Sequence, residues 1–329
     1  MIKVLQIGLG PLGQKIVRFG NQRKNIKFIG AVDLNPAITG KDLGDICKIE
    51  KLNVKITNSV KEALKKKKAD VVILTTVSGI NKIVKQIENI ANYGIPVVST
   101  CEELSYPWKR HSRTAKKIDG ICRANNIACL GTGVNPGFLM DYLPCVISSV
   151  NQNVKKLSVF RIQDASVRRI PFQKKIGVGL TRKEFNDKVR KKIIRHVGLP
   201  ESIDLIAACM NWKVDNVKEV IKPVIAKEKI TKGFRVVEKG MVCGVEQIGR
   251  GFVNGKEVIK LVFKASLAET NPNDTIEIKG EPDIKSVIEG GVNGDIATCA
   301  ITLNSIRSIL KMKPGLHTML DIPVPGYFR

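Results

Sequence analysis

Aromatic residues make up only 5% of the 329-residue chain. Surfaces that stack unpaired bases need aromatics interleaved with basic groups, so such a surface is not indicated. There are 3 histidines, at 111, 196 and 317, and none stands at ligand spacing from an acid or a cysteine. No metal motif and no Ser/His/Asp hydrolase signature follows from them, and structural roles are expected. His111 is expected to be exposed on a basic helix, and His317 lies in a tail that would have to fold back to reach a site. The 8 cysteines contain no C-x-x-C pair and mostly sit in apolar runs, which points to buried free thiols. No apolar run reaches the ~18 residues of a membrane span and no leader precedes the first strand, so a cytoplasmic protein is expected. Internal repeats and low-complexity tracts are also missing.

Acids are scarce as well. The chain has 30 Asp and Glu against 55 Lys and Arg, a net charge of +25. An excess of this size attracts anionic cofactors or nucleic acid. The lysines are spread through helical patterns such as 61–68 and 188–192, which favours a solvated basic surface over a nucleic-acid footprint.

What is present begins at the first residue. The apolar run Ile2 to Ile7 ends in Gly8-Leu9-Gly10-Pro11-Leu12-Gly13, and an amphipathic helical pattern follows. This is the strand, glycine turn and helix start that hold the pyrophosphate of a dinucleotide. Gly8 permits the turn, Gly10 lets backbone approach phosphate, and Gly13 lets the helix pack closely. Pro11 suits the first helical position, where a missing N–H costs nothing. Asp33 lies 20 residues beyond Gly13, at the end of a second apolar run, where an acid meets the adenosine ribose. No arginine follows Asp33, so NAD is expected, while Lys41 leaves NADP open.

Strands and helices then alternate as far as Leu130, which predicts an α/β fold with a parallel sheet covered on both faces. Thr75, Thr76 and Ser78 end the continuous apolar run 69–74, at the sheet edge where such folds bind ligands. Thr100, Glu102 and Glu103 follow the next short strand, in a polar loop. The loop Gly131-Thr-Gly-Val-Asn135-Pro-Gly137 marks the boundary between a dinucleotide-binding Rossmann domain, 1–136, and a substrate-binding and dimerisation domain, 137–294. The latter reads as α+β with a mixed or antiparallel sheet. Strands are expected at 157–162, 234–248, 256–265 and 275–279, and helices at 181–195, 201–211 and 217–227. The last helical segment, about 295–329, is expected to return to the first domain.

Two groups carry candidate chemistry. Dehydrogenation of an amine needs a base for the ammonium proton and help for water attacking the imine. Glu102 or Glu103 fits, Glu102 first because it lies nearer the strand; the bland alternative is a solvated pair, one capping the following helix. Arg168 and Arg169 fit a bidentate clamp on a substrate carboxylate, with Asp164 placed for an ammonium group. The alternative is an exposed edge strand.

Taken together, Gly8 to Gly13, Ser99-Thr-Cys-Glu-Glu-Leu-Ser-Tyr-Pro107, Gly131 to Gly137, Asp164-Ala-Ser-x-Arg-Arg169 and Gly290-Gly-Val-Asn-Gly-Asp295 resemble the 2,4-diaminopentanoate dehydrogenase family. The resemblance spans nearly the whole chain. Its fold is similar to dihydrodipicolinate reductases and native amine dehydrogenases. It implies oxidative deamination of (2R,4S)-2,4-diaminopentanoate to 2-amino-4-oxopentanoate and ammonia with NAD or NADP, in ornithine fermentation. It implies a homodimer joined through the second domain's sheet, an acid of the Thr-x-Glu loop at the amine, and Asn293 and Thr298 near cofactor or substrate. The His-His-x-x-Lys segment of dihydrodipicolinate reductases is not found. Another small amine or diamino acid as substrate, a reductase of that type, and a dinucleotide sensor or nucleic-acid-binding protein stand as alternatives.

Overall fold

The N-terminal apolar run forms strand β1 (Ile2–Ile7), and the amphipathic pattern after the glycines forms helix α1 (Pro11–Asn21). In the computed structural model, which describes residues 1–65 and 67–329, the alternation continues as expected. It runs through β2 (Ile26–Val32), α2 (Leu43–Cys47), β3 (Ile56–Thr57), α3 (Val60–Leu64), β4 (Val71–Leu74), α4 (Ile80–Ala91), β5 (Val97–Ser99), α5 (Ser112–Ala124) and β6 (Ala128–Gly131). The short α2 and β3 fall in a stretch that reads as loop, because neither is long enough to show a period.

The second stretch contains α6 (Tyr142–Ser148), β7 (Asn153–Asp164), α7 (Ile170–Lys175), α8 (Arg182–Arg190) and α9 (Leu199–Cys209). Strands β8 (Asn216–Ile225), β9 (Val242–Val253), β10 (Lys256–Ser266), β11 (Asn273–Glu281) and β12 (Ile284–Glu289) follow. The chain ends with α10 (Gly294–Ile309) and β13 (Gly315–His317). Two compact units result: residues 1–138 with 293–329, and residues 139–292.

The first unit is a seven-stranded sheet in the order β13-β6-β5-β4-β1-β2-β3, and every pairing is parallel. Leu5, Ile7, Val72, Leu74, Val97 and Cys129 pack with Ile83 and Ile87 of α4 and Ile118 of α5. Alternate strand residues point to the opposite face. There α1 and α10 lie against each other, and Leu303 of α10 approaches Gly20 of α1 closely. The last segment, expected to be helical over about 295–329, is helical only to Ile309. Strand β13 then extends the parallel sheet beyond β6, a three-residue element too short to read from sequence.

The second unit is a six-stranded mixed sheet, β12-β11-β7-β10-β9-β8, in which β7 and β10 are the parallel neighbours. Asn254 and Gly255 turn β9 into β10 with φ of 49° and 76°, as the Asn-Gly pair predicts for a tight hairpin. Three expectations need correction. Residues 217–227 are not helical but form most of β8, an edge strand paired only with β9. The expected strand 234–248 begins only at Val242, because Gly233 and Gly240, with φ of 115° and 88°, bend the preceding segment. The helix expected at 181–195 stops at Arg190, and Lys192 turns left-handed at φ 56°.

Candidate active site

The glycine turn is built mostly by contacts within the protein. A Cβ on Gly8, whose φ is +90°, would stand 2.6 Å from the Thr75 carbonyl oxygen. On Gly13 it would stand 2.0 Å from the Gly8 carbonyl oxygen, so α1 packs directly on the turn. Gln6, fully buried in β1, donates its side-chain amide to the Gly8 carbonyl at 2.9 Å and to Thr75 Oγ1 at 2.9 Å. The Thr75 hydroxyl in turn donates to the Gly8 carbonyl, also at 2.9 Å. Gln6 was not expected to matter. An uncharged polar residue among the apolar residues of the strand's second half was its only signal.

Gly10 differs from its two neighbours. It is the N-cap of α1 with φ −62°, it offers no side chain to the first-turn amides, and a Cβ there would meet nothing within 4 Å. Fold packing therefore leaves the space over Gly10 open, at the positive end of a helix where anions are favoured. Asp33 directly follows β2 and accepts the Leu9 amide at 2.6 Å on one oxygen and the Asn35 amide at 2.8 Å on the other. Each carboxylate oxygen keeps further acceptor capacity for ribose hydroxyls.

A groove of about 560 Å³ runs along this edge. Gly8, Gly10, Asp33, Thr75 and Thr76 line it, and so do Asn58, Ser59, Gln86 and Asn89, which the sequence did not single out. Thr76 Oγ1 donates to Gln86 Oε1 at 2.6 Å. Open backbone at a helix start, a carboxylate at the end of the second strand and a groove of ligand size fit a dinucleotide.

Farther along the same sheet edge, the segment after β5 is held tightly. The Thr100 amide donates to the Leu74 carbonyl at 3.1 Å and the Glu103 amide to the Ser78 carbonyl at 3.2 Å. A single 3₁₀ turn, Glu102–Leu104, follows, and a Cβ on Gly131 would reach within 2.3 Å of the Leu104 carbonyl oxygen. The loop thus sits against both β4 and β6. Its two glutamates differ in surroundings. Glu103 Oε2 accepts the Ile80 amide at 2.9 Å, capping α4, the helix before it in the chain. It also lies 3.8 Å from His111 Nε2, so His111 is half-buried beside an acid and not on open surface. Glu102 is likewise half-buried, and among the described residues nothing hydrogen-bonds its carboxylate. Asn135 lies half-buried in the 131–137 loop, ahead of a cis bond to Pro136.

Two more candidates lie on α10. Asn293 Oδ1 accepts the amides of Asp295 and Ile296, each at 3.1 Å, as its N-cap. Thr298 stands one turn on, half-buried, and its carbonyl accepts the Thr302 hydroxyl at 2.7 Å. His317, in β13, bonds through Nε2 to the Lys313 carbonyl at 2.8 Å.

In the second unit, Arg168 lies with its guanidinium 4.3 Å from the Phe172 ring centroid and donates to Gln163 Oε1 at 3.2 Å. Arg169 is exposed at the N-cap of α7, and Asp164 Oδ1 accepts the Ser166 amide at 2.9 Å. Beneath them Arg161, 2% exposed, holds both oxygens of Asp274 at 3.0 Å and also donates to the Val292 carbonyl at 3.0 Å. Burial lowers the Arg161 guanidinium and raises the Asp274 carboxyl, and each partner's charge opposes the other's shift. His196 is stacked on Phe263 at 4.5 Å. Burial first, then the charges of Lys175, Arg161 and Arg195, push its pKa down to about 3.

Residues 138–328 match a family model described as the 2,4-diaminopentanoate dehydrogenase C-terminal domain. The chain belongs to the 2,4-diaminopentanoate dehydrogenase family. Its first unit matches, over residues 2–124, the model of the dihydrodipicolinate reductase N-terminus. A 2,4-diaminopentanoate dehydrogenase of Acetoanaerobium sticklandii is 29% identical, covering 98% of this chain and 94% of its own. An amine dehydrogenase of Streptomyces virginiae is 20% identical over 98% of this chain and 97% of its own. In fold, the amine dehydrogenase of Mycobacterium smegmatis superposes with a TM-score of 0.86 at 20% identity, over 99% of this chain and 97% of that one. As a member of the 2,4-diaminopentanoate dehydrogenase family the chain is an NAD(P)-dependent dehydrogenase with amine dehydrogenase chemistry.

Proposed function

We propose that this dehydrogenase oxidises the 4-amino carbon of 2,4-diaminopentanoate, giving 2-amino-4-oxopentanoate and ammonia. The C-terminal family match supports the substrate. The observation that carries the site is the contrast between the glutamates: Glu103 is spent on the Ile80 amide, while the Glu102 carboxylate is half-buried with no partner among the described residues. In this reading the bound nicotinamide supplies the acceptor for the hydride leaving the amine carbon. Glu102 takes the ammonium proton beforehand, leaving a neutral amine whose lone pair can form the C=N bond. Glu102 releases that proton to solvent, and its regenerated carboxylate takes a proton from the water that adds to the iminium carbon. Returned to the carbinolamine nitrogen, that proton lets ammonia depart as the C=O bond forms and the hydroxyl proton passes to solvent. Open backbone at Gly10, with Pro11, Leu12 and Gly13 starting α1, holds the pyrophosphate, while Thr76, Ser78 and Thr100 border the path toward the nicotinamide. Thr75 acts there by fixing the turn. Asp33 favours NAD, because its carboxylate repels a 2′-phosphate. Arg168 and Arg169 hold the substrate carboxylate, Asp164 and Asn135 its polar groups, and Asn293 and Thr298 contribute from α10. A homodimer in the cytoplasm and a place in ornithine breakdown belong to the same reading.

The test is Glu102→Gln beside Glu103→Gln. The first should lower kcat by about 10²- to 10⁴-fold, as expected for a lost general base, with cofactor affinity retained. The second should keep most of the turnover and lose about 1 kcal/mol of stability with the cap. Normal turnover in Glu102→Gln would move the proton transfer to Glu103. Absorbance of the reduced cofactor on adding 2,4-diaminopentanoate, alanine or a simple amine decides the substrate; equal rates with all three would sink the assignment.

A further inference from the structure

A second cleft lies in the first unit, with a volume of about 590 Å³. Lys3, Lys27, Lys67 and Lys68 line it, with Phe28 and Leu52 as apolar wall. Lys3 and Lys27 stand near the beginnings of β1 and β2, and Lys67 and Lys68 precede β4. The cleft is therefore at the N-terminal ends of the strands, and the glycine turn is at the other end. Six residues of β1 at ~3.3 Å each separate the two by roughly 15–20 Å.

The charges here are arranged against their own interest. Lys3 and Lys27 are direct partners in the parallel pairing of β1 and β2, side by side about 5 Å apart. Like charges so placed are destabilising. Lys67 Nζ is held by the Ile29 carbonyl at 3.1 Å, which fixes its ammonium at the wall. The nearest acid in the chain, Asp70, gives one oxygen to the Lys3 amide at 2.7 Å and does not line the cleft. Among the described residues no carboxylate pairs with any of the four ammonium groups. Elsewhere lysines do find acids, as Lys156 with Glu257 and Lys264 with Glu269, each at 2.6 Å. Four exposed lysines lining one concave, partly apolar cleft of ligand size describe a receptor for a compact polyanion.

We propose that this cleft binds a multiply charged phosphate compound, a nucleoside polyphosphate or inorganic polyphosphate, at a site separate from the dinucleotide groove. The phosphates neutralise the four lysines, and the half-buried Leu52 offers apolar surface to a base where one is present.

Calorimetric titration of the full chain, saturated with NAD, with inorganic tripolyphosphate and with ADP tests this. Binding is expected in low salt, weakening as salt rises. The double substitution Lys27→Glu, Lys68→Glu should raise the dissociation constant at least about tenfold, since it turns two attractive contacts into repulsive ones. It should leave kcat and the KM for NAD unchanged, which also shows that the variant is folded. Tighter ADP than tripolyphosphate assigns the nucleoside form; equal or weaker ADP assigns the inorganic one. Absence of binding at millimolar concentration, binding indifferent to the double substitution, or displacement by excess NAD would overturn the proposal. So would binding of duplex DNA through these lysines when neither small anion binds.

Discussion

Replacing Gly10 and Gly13 by alanine, one at a time, separates what the glycine turn does for the fold from what it does for the ligand. At Gly13 the added methyl would stand 2.0 Å from the Gly8 carbonyl oxygen and 2.9 Å from Thr75 Oγ1. Ordinary contact is ~3.5 Å, and the obstacle is backbone fixed by Gln6 and Thr75, so α1 must move away. Overpacking of this kind costs about 1–3 kcal/mol. In a unit of this size each kcal/mol lowers Tm by roughly 2–4 °C, so Gly13→Ala should melt about 2–12 °C earlier. At Gly10 nothing lies within 4 Å and φ is already −62°, so alanine fits. Its stability should stay within about 1 kcal/mol of wild type, a poorer N-cap being offset by a less flexible unfolded chain. Its methyl, however, points into the space assigned to the pyrophosphate. Cofactor affinity should fall at least tenfold, about 1.4 kcal/mol. Fluorescence titration with NADH and a thermal melt of each variant make the comparison. Wild-type affinity in Gly10→Ala would refute the placement of the pyrophosphate, whatever Gly13→Ala does.

Two further outcomes follow from buried charge in the second unit. His196 is neutral in the fold, its pKa pushed down to about 3, against ~6.5 when unfolded. Its contribution is therefore fully present above pH ~6.5 and is lost as pH falls toward 3, with a slope of up to about 1.4 kcal/mol per pH unit. His196→Phe keeps the stacking surface on Phe263 and should flatten the fall in urea midpoint between pH 6.5 and 4; an unaltered slope would mean that the imidazole is not held neutral. Arg161→Met strands Asp274 and should cost about 3–5 kcal/mol at pH 7. Losing Arg161 raises the Asp274 carboxyl further, so the variant's deficit should shrink as pH falls and Asp274 protonates. Denaturant curves at pH 7 and pH 5 check this, and a deficit that grows in acid would contradict it.

The first unit was legible wherever a signal was local. Its parallel strands are apolar runs, and glycines and Asp33 mark the sheet edge that carries the groove. Contacts between distant positions were not legible. Glu103 and Ile80 are 23 residues apart and Arg161 and Asp274 113 apart, and neither pairing leaves a trace in spacing. β8 misled for a different reason. Val217, Val220, Ile221, Val224 and Ile225 recur at helical intervals. They are all β-branched, and Pro223 sits among them. Proline removes a donor, which a helix interior does not tolerate but an edge strand does. Those two facts outweighed the periodicity in the structure.

Strand β13 and helix α10 bear on how the protein is made. The first unit is closed by residues 293–329, while the second, 139–292, is one uninterrupted stretch. During synthesis the ribosome must add 179 residues after Phe138 before β13 is complete at His317. At ~5–20 residues per second that is roughly 10–40 s. Through most of that interval the edge of β6 has no β13 and α1 has no α10 to cover it. The nascent chain thus carries an open sheet edge while the later-made unit is already able to fold. Premature termination anywhere before residue 293 leaves that edge permanently unpaired, a ready template for aggregation.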